Sequence, residues 1–267
     1  MFSSIRKPSR LDRRHQLNSV FSSLPAFRPW KNDCRIVHIH RSTPSSVLYA
    51  LIDYAQETTE FTIDTESDYR THQPALIQIE FIRSKPIVVL FEMCHLSKQQ
   101  AFLSSLVRIL IRTILMSSKT IFAWGDPIEE LAHFARYGFF SYEHLVPLNV
   151  VDVQDAFKQW YNRTFHHRCG LEPDADDHPT CTCCHRPVKD LQHRWSLQKA
   201  IAFTFGEFLD KSRTLSHWSR FLSSTNSTRA LLVEKTSRSM VDNMILYAVD
   251  DCLAVTKLKW VIECFDG

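Results

Sequence analysis

The segment FTIDTESDYRTHQPALIQIEF, residues 61–81, carries two β-rich runs, FTIDT and ALIQIEF, separated by a polar stretch. In a strand, residues two apart point to the same side, so Asp64 and Glu66 share one face at the polar tip of the first run. PIVVLFEM (residues 86–93) follows behind the turn-like Arg83-Ser84-Lys85 and reads as another strand. Three strands in such close succession predict an antiparallel meander.

Upstream of the meander, RIVHIH (35–40) alternates as a strand and SSVLYALIDYA (45–55) has helical spacing. Downstream, a helix is expected over 97–116, a strand at TIFAW, a helix over 127–137, a strand at LNVVDV and a helix over 154–162. Strands alternating with helices predict parallel additions to the same sheet. Residues 166–187 break all periodicity with histidines, acids, prolines and four cysteines, which marks an insertion. WSLQKAIAFTF then resumes a helix. The last element, 240–265, lacks glycine and proline and is expected to pack an apolar side on the sheet.

The first 30 residues carry Arg6, Lys7, Arg10, Arg13 and Arg14 against the single acid Asp12, with interspersed serines and no sustained apolar period. They read as a basic, disordered tail ahead of one domain spanning 31–267. An Arg-rich, Ser-rich, nearly acid-free start also has the character of a mitochondrial transit peptide. The other reading is a tail that touches nucleic acid.

A chain of 267 residues is near the upper limit of a single domain. No run of about 18 apolar residues is present that could cross a bilayer. The net charge of +3 permits phosphate binding without announcing it. Only 5 glycines leave no place for a glycine-rich dinucleotide or P-loop cradle. Cys34, Cys94, Cys252 and Cys264 are scattered through apolar segments without a secretory signal, so an intracellular, reducing compartment is expected, nucleus or cytoplasm.

Asp126 ends the strand TIFAWG and opens the helix PIEELAHFARYG. Asp before Pro is a preferred helix N-cap, so capping and metal binding both fit. Tyr247 and Asp251 lie four apart on the final helix, hence on one face. Taken singly, each of these acids fits an ordinary surface role. Together they are hard oxygen ligands of the kind that suit Mg²⁺ or Mn²⁺, and their mutual repulsion calls for a cation. Four acids from three separate elements meeting at one sheet edge are what a two-metal phosphodiester site requires.

These residues also fall in a recognisable order. FTIDTESDYRTHQPALIQIEF resembles the first motif of the DEDDy 3′–5′ exonucleases, the group that includes RNase D and the exonuclease domain of the Werner-syndrome helicase. IFAWGDPIEEL is similar to the second motif, and YAVDD, with Tyr247 four residues before Asp251, to the third. VVDVQDAF, WSLQKAIAFTFGEFLDKS and TLSHWS resemble the connecting segments, so the resemblance spans about residues 61–259. Residues 166–187 and 222–239 are longer than the family minimum. The resemblance implies an α/β, RNase H-like fold: a mixed five-stranded sheet, three strands antiparallel and two parallel, flanked by helices.

It further implies metal-dependent 3′–5′ exonuclease action on DNA or RNA, releasing nucleoside 5′-monophosphates. Asp64 would bridge two divalent ions, Glu66 and Asp251 would hold the ion that activates the attacking water, Asp126 would hold the other, and Tyr247 would orient the water. Lys211, in LDKS, and Trp218, in SHWS, are candidates to grip the strand by a phosphate and a base, with a solvated lysine and a core tryptophan as the alternatives. Two other readings stand beside this one. A catalytically silent RNA-binding adaptor would use the same fold without chemistry. A zinc-dependent interaction module would rest on Cys169, Cys181, Cys184 and His185, where the C-x-x-C pair of Cys181 and Cys184 suits structural Zn²⁺.

Overall fold

The computed structural model describes residues 10–30, 34–96, 101–165, 192–213, 216–219 and 240–266. In chain order these form α1 (Arg10–Phe21), β1 (Arg35–Ile39), α2 (Ser45–Glu57), β2 (Glu60–Ser67), β3 (Pro74–Phe81), β4 (Ile87–Glu92) and the short α3 (Met93–Leu96). Then come α4 (Ala101–Ile114), β5 (Thr120–Ala123), α5 (Pro127–Ala132) with a 3₁₀ turn at His133–Tyr137, and α6 (Tyr142–Leu145). β6 (Asn149–Asp152), α7 (Val153–Thr164), α8 (Leu197–Phe205) and α9 (Met240–Asp266) complete the fold. The 166–187 insertion, with the zinc candidates Cys169, Cys181, Cys184 and His185, lies outside the described residues, as does the longer 222–239 stretch.

One mixed sheet has the strand order β1-β4-β3-β2-β5-β6. The expected meander is present, with β2 antiparallel to β3 and β3 to β4, and β5 and β6 add in parallel beyond β2. The sheet has six strands rather than the expected five. The extra one is β1, whose apolar alternation fits the parallel edge of β4, with Arg35 opposite Ile87 and Ile39 opposite Phe91.

Helices cover both faces. Leu48, Leu51, Leu106 and Leu110 of α2 and α4 bury one face with Phe61, Ile63, Ile77 and Val89 of the strands. On the other face α9 lies against β2 and β3 and is itself roofed by α7 and α8. Every residue from Asp251 to Lys259 is consequently buried, so this middle stretch of the helix is enclosed all round rather than on one side. Two buried lysines of α9 are paired: Lys257 Nζ with Glu207 at 2.7 Å and Lys259 Nζ with Glu60 at 2.9 Å.

Of the first 30 residues, those from 10 to 30 are described and include α1. α1 sets Phe21 edge-on against Phe203 of α8 with ring centroids 5.7 Å apart, and the Phe27 N–H donates to the Phe208 carbonyl at 2.9 Å. The apolar residues that make this docking, Phe21 and Phe27, are too sparse to produce a helical period. Among the described residues no helix is long and apolar enough to cross a membrane.

Candidate metal-binding active site

β2 carries its polar tip to the edge where α9 crosses the sheet. Thr62, Asp64 and Glu66 alternate toward α9, an arrangement fixed lower down by the Thr62 and Thr256 hydroxyls, 2.7 Å apart. One carboxylate oxygen from each of Asp64, Glu66 and Asp251 lies within 4.8 Å of the others. Glu66 and Asp251 are 7% and 2% exposed, and Asp64 is half-buried.

Three carboxylates this close, away from water, resist ionisation. Burial and the charge of Asp251 push the Asp64 carboxyl up to about 8. Burial and the charges of Asp64 and Asp251 raise Glu66 well above the carboxylate range, and burial raises Asp251 despite its cationic neighbour. That neighbour is Lys211, whose Nζ is 2.5 Å from Asp251 Oδ1 and 5.0 Å from the centre of the Tyr247 ring. Burial alone would lower the Lys211 pKa, but the charges of Asp251 and Asp64 prevail and raise it. Tyr247, one turn before Asp251 on α9, hydrogen-bonds the Asp251 carboxylate.

The donor set fits a hard divalent cation: all oxygen, anionic and held by strand and helix rather than by loops. A second observation agrees. Gln78 stands opposite Asp64 in the β2–β3 register and is completely buried, yet neither its Oε1 nor its Nε2 has a partner among the described residues. A buried amide with both ends unmet is costly unless a further group completes it.

Asp126 is not brought into this trio. It is exposed and its Oδ1 accepts from the N–H groups of Ile128 at 2.8 Å and Glu129 at 3.4 Å, which makes it the N-cap of α5. The turn before it needs glycine, since Gly125 has φ 114. Trp218 is 1% exposed and packs on Tyr247, with ring centroids 5.9 Å apart, inside a cluster with Leu76, Leu90 and Met244. The core alternative describes its position, and its ring offers no open face to a base.

Sequence reasoning missed two supports of the site. Asp68, just past the strand end, accepts from the Ser219 hydroxyl at 2.6 Å and N–H at 3.1 Å, and from the N–H groups of Arg70 and Thr71. Burial opposes its charge, but the hydrogen bonds from Ser219, Thr71 and Arg70 outweigh it and hold the carboxyl far below its usual range. This ties the Trp218 segment to β2. Asn18 of α1 is the other. Its Oδ1 accepts from the Lys211 N–H at 3.0 Å and from Gln198 Nε2 at 2.7 Å, while its Nδ2 donates to Asp210 Oδ1 at 2.9 Å. The segment that delivers Lys211 to the carboxylates is thus clamped by the N-terminal helix. An asparagine in a polar helix gives no sequence signal of such a role.

No family model and no curated protein matches the sequence. Solved structures do. The EXO domain of Nibbler from Aedes aegypti superposes with a TM-score of 0.54 at 12% identity, over 89% of this chain and 90% of that one. The catalytic core of RRP6 from Trypanosoma brucei gives a TM-score of 0.48 at 12% identity, over 93% and 54%. RNase D of Escherichia coli, an exoribonuclease involved in structured RNA processing, gives 0.47 at 15% identity, over 87% and 44%. The chain spans about half the length of these last two. By its fold, the chain is similar to 3′–5′ exonuclease domains of the RNase H-like class.

Proposed function

We propose that the chain is a metal-dependent 3′–5′ exonuclease that hydrolyses phosphodiester bonds at the 3′ end of DNA or RNA. The observation that carries this is the convergence of Asp64, Glu66 and Asp251 on a fold similar to 3′–5′ exonuclease domains. Asp64, Glu66 and Asp251 would hold divalent ions, Mg²⁺ or Mn²⁺, with Asp126 joining from the α5 cap. When bound, such ions supply an activated water and stabilise the leaving oxygen.

The chain's own residues do the rest. Tyr247, hydrogen-bonded to Asp251, would orient a water for in-line attack. Lys211 provides a positive charge at the same place, suited to a phosphate once the carboxylates are occupied, so its role as a phosphate-gripping residue is kept. α9 and the Trp218 segment exclude water on the inner side of the cluster. We assign an intracellular compartment, in keeping with the free thiols of Cys94, Cys252 and Cys264. We further propose structural zinc at Cys169, Cys181, Cys184 and His185 and, as the second reading of the basic N-terminus, a mitochondrial address.

One observation favours a silent, RNA-binding adaptor: Asp126 is committed to its helix cap, outside the trio. The deciding experiment incubates the chain with 5′-labelled single and double strands of DNA and RNA, with Mg²⁺, Mn²⁺ or EDTA. An exonuclease yields a ladder shortened from the 3′ end only with metal. Retention of the strand without shortening under every condition supports the adaptor instead.

A further inference from the structure

At the opposite end of β2 and β3 lies a cavity of about 310 Å³ between the β3–β4 turn and α2. Glu66 pairs with Leu76 and Phe61 with Phe81, so the cavity is separated from the carboxylate cluster by at least roughly 17 Å along the strands. It opens beside α2, on the face that α9 does not cover. Three cationic side chains, Arg35, Arg83 and Lys85, line it together with Tyr54.

The backbone holds these charges together against their repulsion. Arg35 begins β1 opposite Ile87, and its N–H donates to the Pro86 carbonyl at 3.0 Å, which fixes it beside the turn that carries Lys85. Arg83 is immobilised in a plane. Its guanidinium sits 4.8 Å above the centre of the Tyr54 ring, donates to the Tyr54 carbonyl at 3.2 Å and pairs with Glu57 at 2.9 Å. Among the described residues Arg35 and Lys85 have no ion-pair partner. Among the described residues Glu57 pairs into the group through Arg83, and positive side chains outnumber it.

We infer that this cavity is a binding site for a phosphate monoester, on a free nucleoside monophosphate or at the phosphorylated end of a strand. A monoester carries about −1.5 to −2 at neutral pH, which suits a cavity lined by three cationic side chains, whereas a backbone diester carries only about half of it. Guanidinium forks and an ammonium are the groups that recognise phosphate oxygens, and a guanidinium held in advance loses little freedom on binding. The pocket is separate from the carboxylate cluster and independent of the reading of that cluster.

The test uses the full chain in EDTA, which keeps metal from recruiting phosphate to the carboxylates. AMP, inorganic phosphate and adenosine are titrated, with amide NMR shifts locating the response and calorimetry giving affinity. AMP and phosphate should bind saturably, with shifts at residues 35, 83–85 and 87, and adenosine should not. Arg35→Ala with Lys85→Ala should weaken AMP by about ten-fold or more. Lys85→Glu alone, an exposed position, gives the same direction if the double variant is unstable. Competition of AMP by a 5′-phosphorylated oligonucleotide, but not by its 5′-hydroxyl form, assigns the site to strand ends, and absence of competition assigns it to free nucleotide. Adenosine binding as well as AMP, AMP affinity unchanged in both variants, or no saturable phosphate binding would each overturn the proposal.

Discussion

Asp64, Glu66 and Asp251 at the β2–α9 crossing and Asp126 at the start of α5 are carboxylates of the same chemistry in opposite situations. The first three are crowded away from water, and their charges raise one another's pKa. Asp126 faces solvent and meets two helical N–H groups. Folding alone accounts for Asp126, because a capped helix is more stable than an uncapped one. It does not account for the trio, whose repulsion works against the folded state and is offset in the metal-free chain by one ammonium, that of Lys211. What the fold retains at a cost is the better pointer to ligand chemistry.

The contrast breaks most sharply by removing charge from the trio. Asp64→Asn should lower exonuclease rate by roughly 10²–10³-fold or more, while the thermal midpoint without metal stays level or rises. A normal rate would remove Asp64 from the site, and a large loss of midpoint would make it structural. Asp126→Ser separates capping from ligation, since serine keeps the cap. Its midpoint should match wild type while activity falls, and Asp126→Ala should in addition lose about 1 kcal/mol in denaturant unfolding. Full activity in Asp126→Ser would leave the cap as the aspartate's whole role.

Tyr247→Phe should slow turnover by about 10²-fold, within the range for a positioned proton-transfer group, with Mn²⁺ affinity nearly unchanged. Loss of Mn²⁺ affinity would instead make the hydroxyl a support for Asp251.

The pH dependence sharpens the same comparison. The Asp64 pKa rises from 3.8 in a free carboxyl to about 8 in the folded, metal-free chain. The folded state therefore binds more protons than the unfolded one between these values, and stability falls as pH rises through them. Thermal melts in EDTA should decline from pH 4 to 8, the decline should shrink in Asp64→Asn, and saturating Mg²⁺ should reverse it. A flat or rising profile in EDTA contradicts the raised value.

The smallest expected effect is that of Asn18→Ala, which releases the Lys211 segment. KM for a single strand should rise several-fold with kcat changed less, and stability should drop by about 1–2 kcal/mol. Asn18→Asp, which keeps the acceptor for the Lys211 N–H but sets a charge against Asp210, should fall between the two. Equal loss of kcat in both variants would mean that the clamp supports the fold rather than Lys211.

Much of this was legible in the sequence because it obeys local rules. The meander follows from closely spaced β-rich runs, and the shared face of Asp64 and Glu66 from a period of two. Tyr247 and Asp251 are one helical turn apart, which is enough to put them together. What was not legible is tertiary. β1 joins the sheet through pairing with a strand some fifty residues away, which no local pattern encodes. α1 docks through a few apolar residues and the three hydrogen bonds of Asn18. The burial of Trp218 and of the middle of α9 reflects which surfaces other elements cover.

The most direct test of the central claim, that the buried trio exists to hold divalent cations, is a calorimetric titration of the full chain with Mn²⁺ beside its Asp251→Asn variant. Saturable binding in the wild type, weakened at least about ten-fold in the variant, is the result expected for carboxylates that serve as ligands. Mn²⁺ binding of equal strength in both, or none in a wild type that is folded by its thermal melt, would contradict it.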